Sequence, residues 1–184
     1  MTQFGQQISG QADPNNESGA RHSRFEIARN DIMNAFAEIT TANGYRNDVA
    51  EVVNAIRAPF KITETPEIGV VMGTRRIKGE DQTWGVTTAE CDIFVQAVVS
   101  EDESMEKASS LLNDKMESMA HDIARVIHGF FTSEINAISR GRWNILTTTP
   151  VRIIMGIDFG EKVSKGVVRA EFQIQLRSMD GTYD

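Results

Sequence analysis

A long amphipathic helix is predicted for residues 100–129, and this segment constrains the fold more than any other. Ser100 and Glu103 have the spacing of a capping box, which predicts where the helix begins. His128 and Gly129 predict where it ends, because glycine readily takes the left-handed conformation that closes a helix. A helix of about 26 residues is about 39 Å long and needs a broad apolar partner. Its own apolar stripe, with a residue every three or four positions, consists of Leu112, Met116, Met119, Ile123, Ile127 and Phe130.

Segments on both sides of this helix alternate between apolar and polar residues, which is typical of strands with one buried face. Three strands are predicted before the helix, at residues 49–57, 66–72 and 83–99, the last two forming a long hairpin with polar residues 73–85 at its tip. A strand of about 15 residues exceeds the usual five or six, so it must bend or project beyond the core. Another strand is predicted at residues 151–159. The apolar positions of the final strand are Val168, Ala170, Phe172, Ile174 and Leu176.

The first helix begins with a second capping box, Ser23 and Glu26, and we expect Asn43 and Gly44 to end it. The order of elements is therefore helix, three strands, helix, two strands. Because this order lacks the strand–helix–strand repeat of parallel sheets, we predict an α+β fold. Its antiparallel or mixed sheet has about five strands, including the long hairpin, and two main helices cover it.

The N-terminal segment, residues 1–22, is polar and has little to bury beyond Phe4 and Ile8. Such a segment cannot offset the entropic cost of its own ordering. We interpret it as a flexible N-terminal arm, which is either disordered or ordered on a neighbouring subunit. Residues 23–184 then form a single domain.

Composition narrows the functional classes. The net charge of −7 argues against nucleic-acid binding through overall attraction, although a local basic patch remains possible. A single cysteine, Cys91, excludes an internal disulfide framework and fits a reducing compartment. No apolar run is long enough to span a membrane, and the N-terminus lacks the apolar core of a signal peptide. These features predict a cytosolic protein.

Residues that could carry catalysis are few. His121 and His128 lie seven positions apart on the predicted helix, and no third histidine or cysteine is close in sequence, so exposed helix histidines explain them better than a metal site. Cys91 has no evident histidine partner, and a buried cysteine is commonly a small hydrophobic residue. The sequence contains no phosphate-binding loop, dinucleotide-binding glycine motif or serine-nucleophile motif. We therefore expect no enzyme activity, no cofactor and no metal.

The long hairpin and the last strand instead carry charged residues that could meet a second protein. Hairpins and charged strand faces of this kind fit a subunit that forms a ring. The residues expected at such an interface are Arg75, Arg76, Lys78, Glu80 and Asp81 on the hairpin, and Arg169, Glu171 and Arg177 on the last strand.

Two segments resemble the tail terminator proteins of tailed bacteriophages, also described as tail completion or minor tail protein U-like proteins. The first is Ile-Thr-Thr-Ala-Asn-Gly-Tyr-Arg-Asn-Asp-Val at residues 39–49, and the second is Pro-Glu-Ile-Gly-Val-Val-Met-Gly at residues 66–73. The similarity continues through the hairpin, the acidic start of the second helix and the closing strands. It covers about residues 23–184 and leaves the N-terminal arm unexplained.

This resemblance implies a structural virion protein at the head-proximal end of the tail, assembled in the host cytoplasm. Such proteins form a ring, usually hexameric, that caps the tail tube, stops its polymerisation and provides the surface on which the head docks through its connector or neck protein. The tube protein is a partner, as is the sheath protein where the tail is contractile, and DNA passes through the lumen without specific binding. Residues 78–81 with Glu90 or Asp92 are our candidates for the lumen. The alternatives are a tail tube or connector subunit, or a small α+β enzyme or ligand-binding protein.

Overall fold

The computed structural model describes residues 23–81, 86–101, 105–132, 143–145, 152–159 and 164–178, so the N-terminal arm and the hairpin tip at residues 82–85 lie outside the described part. Within these ranges the chain forms two α-helices and one mixed sheet of six strands. The predicted α+β fold and order of elements are confirmed, with one three-residue strand added. The elements are α1 (Arg24–Ala37), β1 (Glu51–Val53), β2 (Glu67–Asp81), β3 (Val86–Glu101), α2 (Met105–Thr132), β4 (Trp143–Ile145), β5 (Arg152–Phe159) and β6 (Ser164–Ser178).

The sheet is built around β3, which pairs antiparallel with β2 on one side and with β6 on the other. β1 lies parallel to β2, and this pairing makes the sheet mixed. β4 and β5 both pair with β6 along its opposite side, β5 beside the first half of β6 and β4 beside the second. The hairpin strands were expected to run beyond the core, but β6 accompanies β3 from Thr87 to Glu101. The long hairpin is therefore part of an equally long three-stranded sheet.

Both helices pack on one face of this sheet and share one core with it. Alternate residues of β3 and β6 point into that core, as their sequence pattern predicts. Burying a large aliphatic side chain stabilises the fold by about 1.5–3 kcal/mol. The predicted apolar stripe of α2 is confirmed for every member whose side chain is described. The fully buried large side chains include Ile32, Phe36 and Ile39 in or after α1, Ile93 in β3, Leu112, Met119, Ile123 and Ile127 in α2, and Ile174 in β6.

The ends of α1 are set by local chemistry. Its predicted capping box is present, with Glu26 N donating to Ser23 Oγ at 3.2 Å and Ser23 N donating to Glu26 Oε2 at 3.0 Å. The predicted end at Gly44 was wrong, since α1 stops at Ala37 and the chain then extends to bury Ile39. Gly44 does adopt the left-handed conformation, with φ of 78°, but it closes a separate 3-10 turn, Thr41–Asn43.

Both predicted ends of α2 were wrong. Ser100 belongs to β3, where its Oγ lies 2.6 Å from Thr65 Oγ1, and the helix begins at Met105. Pairing with β6 continues to Glu101, so sheet formation prevails over the local capping pattern. At the other end the helix continues through Gly129 to Thr132, because one glycine costs a helix only about 1 kcal/mol.

A crossover segment, residues 54–63, runs over the sheet face opposite the helices, here called the helix-free face. β1 had been predicted to reach Arg57, but the chain leaves the sheet after Val53 and passes above Gly69. A Cβ at Gly69 would lie only 2.1 Å from the Ala55 carbonyl oxygen, so this close approach requires glycine. Gln96 Nε2 then donates to the Arg57 carbonyl at 2.7 Å, and Ile62 packs against Val98 and Val167 in a small second core.

Candidate interaction surface

An apolar patch lies on the helix-free face beside the crossover segment. It consists of Ile56 from that segment, Phe94 from β3 and Ile154 from β5, which line two cavities that share Arg169. These three side chains are 37–44% exposed, so they place apolar surface in contact with solvent. Contiguous apolar surface rimmed by polar residues is typical of protein contact sites.

Two shallow cavities flank Arg169 within this surface. One, of about 220 Å³, is lined by Ile56, Phe94 and Glu171 among others, and the second, of about 250 Å³, is lined by Pro59, Ile154, Met155, Gly156, Ile157 and Val167. Arg169 lines both. Its Nε donates to Gln96 Oε1 at 3.2 Å, which fixes the stem of the side chain while the residue as a whole stays exposed. The predicted interface residues Arg169 and Glu171 therefore lie at the apolar patch.

The hairpin residues predicted for the same interface do not form one group. The guanidinium of Arg75 stacks on the ring of Phe25 at 4.3 Å from its centroid, on the helix side of the sheet. Arg76 lies on the helix-free face, where its Nη2 is 3.3 Å from Asp92 Oδ2. Lys78, Glu80, Asp81 and Arg177 occupy strand positions, but their side chains lie outside the described part.

The two carboxylates that were named with residues 78–81 for a lumen surface, Glu90 and Asp92, also differ. Glu90 is buried, with 8% of its surface exposed. Asp92 is partly exposed and accepts hydrogen bonds from two neighbours, through Oδ2 from Arg76 and through Oδ1 from Gln173 Nε2 at 2.7 Å. Of the two carboxylates, Asp92 is the one with substantial contact with solvent.

Sequence reasoning missed the role of Asp122. This fully buried residue of α2 accepts three hydrogen bonds at Oδ2, from the Arg46 and Asn47 amides at 3.0 Å and from Asn47 Nδ2 at 2.7 Å. Arg125 stacks on the Tyr45 ring at 4.4 Å and donates to the Gly44 carbonyl. Together they hold a loop that carries most of the first family-like segment against α2. An aspartate placed between the stripe residues Met119 and Ile123 was the available signal.

The potentially reactive side chains of Cys91 and His121 lie close to other residues of the chain. Burial raises the pKa of the Cys91 thiol from 9.0 to about 11, with the nearby Arg75 lowering it and Asp92 raising it, so the thiol stays protonated near neutral pH. His121 is half-exposed, and its Nδ1 lies 3.6 Å from Asp122 Oδ1. Within the described ranges no three histidine, cysteine, aspartate or glutamate residues are grouped to hold a metal ion. No helix in the part of the chain that the structure describes is long and apolar enough to cross a membrane.

A polar cleft of about 450 Å³ lies where β2 begins and β3 ends. Its lining includes Arg46, Asp48, Ser100, Glu101 and Lys115. Lys115 Nζ contacts Glu101 Oε2 at 2.8 Å and donates to the Ser100 carbonyl at 2.9 Å, so its charge is already engaged within the chain. The cleft thus contains an ion pair between Lys115 and Glu101. The chain matches no protein-family model and no curated protein.

Proposed function

We propose that this chain is a structural subunit of a bacteriophage tail, the tail terminator that forms a ring on the tail tube. The observation that carries the proposal is the apolar patch beside Arg169 and Glu171 on the helix-free face. An exposed phenylalanine and two isoleucines gain about 25 cal/mol per Å² when a protein surface covers them. Charged residues at their rim add specificity to such a contact.

The residues that carry the family resemblance support a structural role. Most of the first family-like segment is a loop fastened to α2 through Asp122 and Arg125. The second begins β2, where Glu67 pairs with Arg57 at 3.1 Å. Both segments are held by hydrogen bonds and ion pairs inside the subunit. This arrangement positions the sheet and loop rigidly, as a ring subunit requires.

The charge of the chain fits passage of DNA. A ring of such subunits multiplies the net charge of −7, and DNA binding to proteins depends mainly on attraction of its phosphates to basic residues. An acidic ring therefore lets DNA pass without retaining it. The proposed partners are further copies in a hexameric ring, the tail tube protein and the head–tail connector, with the sheath protein added in a contractile tail.

Replacing Phe94 tests the proposal. Phe94→Asp puts a charge in the apolar patch, and we expect it to abolish ring formation, as seen by light scattering and negative-stain imaging, and to abolish control of tube length when added to growing tail tubes. Leu111→Asp is the matched control, because Leu111 is 39% exposed, close to the 37% of Phe94, and lies on α2.

Other outcomes of these experiments would support a different function. Open tubes formed by the unmodified chain support a tail tube subunit instead. Rings that leave tube length unchanged support a connector subunit. A stable monomer that binds a small molecule in the second cavity beside Arg169 overturns the structural proposal altogether.

A further inference from the structure

β5 forms an edge of the sheet, since no other strand in the described ranges pairs with it besides β6. Its ladder with β6 runs without a register shift from Arg152, opposite Glu171, to Phe159, opposite Ser164. The five residues at its centre are Ile-Ile-Met-Gly-Ile at positions 153–157, with no charge and no proline. Ile154 is 40% exposed and Met155 is 47% exposed. Regular, apolar edge strands of this kind pair readily with another strand.

We propose that two copies of this chain pair through β5, antiparallel and about a two-fold axis that passes through Met155. The sheets of the two copies then join into one. Such a contact is self-complementary and closes at two copies. It does not depend on the tail-terminator proposal, since a two-fold contact does not by itself generate a cyclic ring.

The register follows from the geometry of an edge. A strand directs the N–H and C=O groups of every second residue outward, so opposed residues of two identical edges are both odd-numbered or both even-numbered. Centring the pairing on Met155 places Arg152 opposite Asp158 of the second copy, and does so twice. It also places Ile153 opposite Ile157, so that apolar residues oppose apolar residues. Seven residues of the eight-residue strand are paired in this way.

Registers centred on the residue before or after Met155 lose the pairing of Arg152 with Asp158. Centring on Ile154 puts Arg152 opposite Gly156, and centring on Gly156 puts Asp158 opposite Ile154. Because opposite charges facing each other stabilise strand pairs, the register about Met155 is favoured. This charge complementarity with itself identifies the occupant of the edge as a second copy of the chain.

A disulfide trap tests the contact in the full chain. In the proposed register the two copies of residue 155 are directly opposed, about 4.5–5.5 Å apart between Cα atoms, within the range of a disulfide. We expect Met155→Cys to give a covalent dimer on mild oxidation, seen on a non-reducing gel. The native Cys91 is fully buried and does not compete. Leu111→Cys, at an exposed site of α2, is the control and stays monomeric.

Mixed variants test the register. Arg152→Cys and Asp158→Cys form no disulfide with themselves, because identical residues there lie six positions apart, but an equimolar mixture gives a heterodimer. Folding of each variant is checked by circular dichroism. A Met155→Cys chain that is folded and no more cross-linked than Leu111→Cys overturns the proposal. Cross-linking at residue 155 without the heterodimer overturns the two-fold register.

Discussion

The two sides of the sheet leave different edges open. On one side, β1 pairs only with Glu67 to Gly69, so the rest of β2 has no strand beside it among the described residues. That edge carries Arg75 and Arg76, and its ladder with β3 is interrupted by two register shifts. On the other side, the β5 edge is apolar and regular. Charges and bulges are the features by which proteins prevent an edge from pairing.

The comparison shows that both edges of the sheet are open among the described residues, and that the β5 edge is the more regular of the two. The β2 edge is long but irregular, and long basic side chains stand on both of its faces. The β5 edge is shorter, yet a second strand can follow it without interruption. Under the proposed pairing, the shorter edge makes the contact, and regularity matters more than length.

The largest expected effect concerns the core that supports both edges of the sheet. Leu112 is fully buried in α2 against the sheet. We expect Leu112→Ala to lower the free energy of unfolding by about 2–5 kcal/mol, because it removes buried methyl groups and leaves a cavity. Chemical denaturation measures this change. A loss below about 1 kcal/mol would mean that the helix face is less closely packed than described.

A charge on β5 should make this edge resemble the β2 edge. Met155→Lys leaves the monomer fold intact, because the side chain is half-exposed, and is expected to change the free energy of unfolding by less than about 0.5 kcal/mol. Dimer affinity, measured by sedimentation, should fall at least tenfold, which corresponds to about 1.4 kcal/mol. The same substitution at Leu111 serves as control. Equal affinity in both variants would remove the distinction between the edges.

Replacing Arg75 tests whether its charge keeps the β2 edge from pairing with another strand. Arg75→Ala loses its stacking on Phe25, a contact of about 0.5–1 kcal/mol at an exposed site. A melt followed by circular dichroism should show this small loss, and light scattering should show more self-association because the edge is less charged. Arg75→Lys keeps the charge and is expected to keep the chain dispersed. Unchanged scattering for Arg75→Ala would show that bulges alone protect this edge.

The smallest effect concerns Arg76 on the opposite face of the same strand. Its ion pair with Asp92 joins an arginine side chain that is 56% exposed to a carboxylate that is 25% exposed, and such pairs contribute about 0–1 kcal/mol. We expect Arg76→Ala to change the free energy of unfolding by no more than this amount. The change should become smaller in high salt. A double-mutant cycle with Asp92→Ala measures the pair. A coupling energy that is independent of salt would contradict its exposed character.

Much of the fold could be predicted because its signals are local. The alternation in β6 and the apolar stripe in α2 indicate which face of each element is buried. The Ser23 capping box indicates where α1 begins. Ser100 carries the same local pattern as Ser23, but its partners Thr65 and Lys165 are distant in sequence. Local spacing cannot report such competition.

The candidate site was predicted less completely, and the reason is the bulge in β2. Simple alternation puts Arg75 and Met72 on opposite faces, whereas the extra residue between them brings both to the helix side. The extra residue thus places Arg75 on the face opposite Arg169, while its neighbour Arg76 lies on the same face as Arg169. Phe94 and Ile154 were missed as surface residues because their exposure depends on where residues 54–63 cross the helix-free face. Gly69 and Gln96, which contact that segment, lie elsewhere in the sequence.

The buried carboxylate of Asp122 also has a mechanical consequence. It ties Arg46 and Asn47 to α2, and only a few residues later the Ala50 amide donates to the Pro66 carbonyl at the start of β2. We therefore expect a pull on the β1 side of the sheet to be transmitted through residues 46–50 to α2. On this basis we expect the helix and the sheet edge to move together under load.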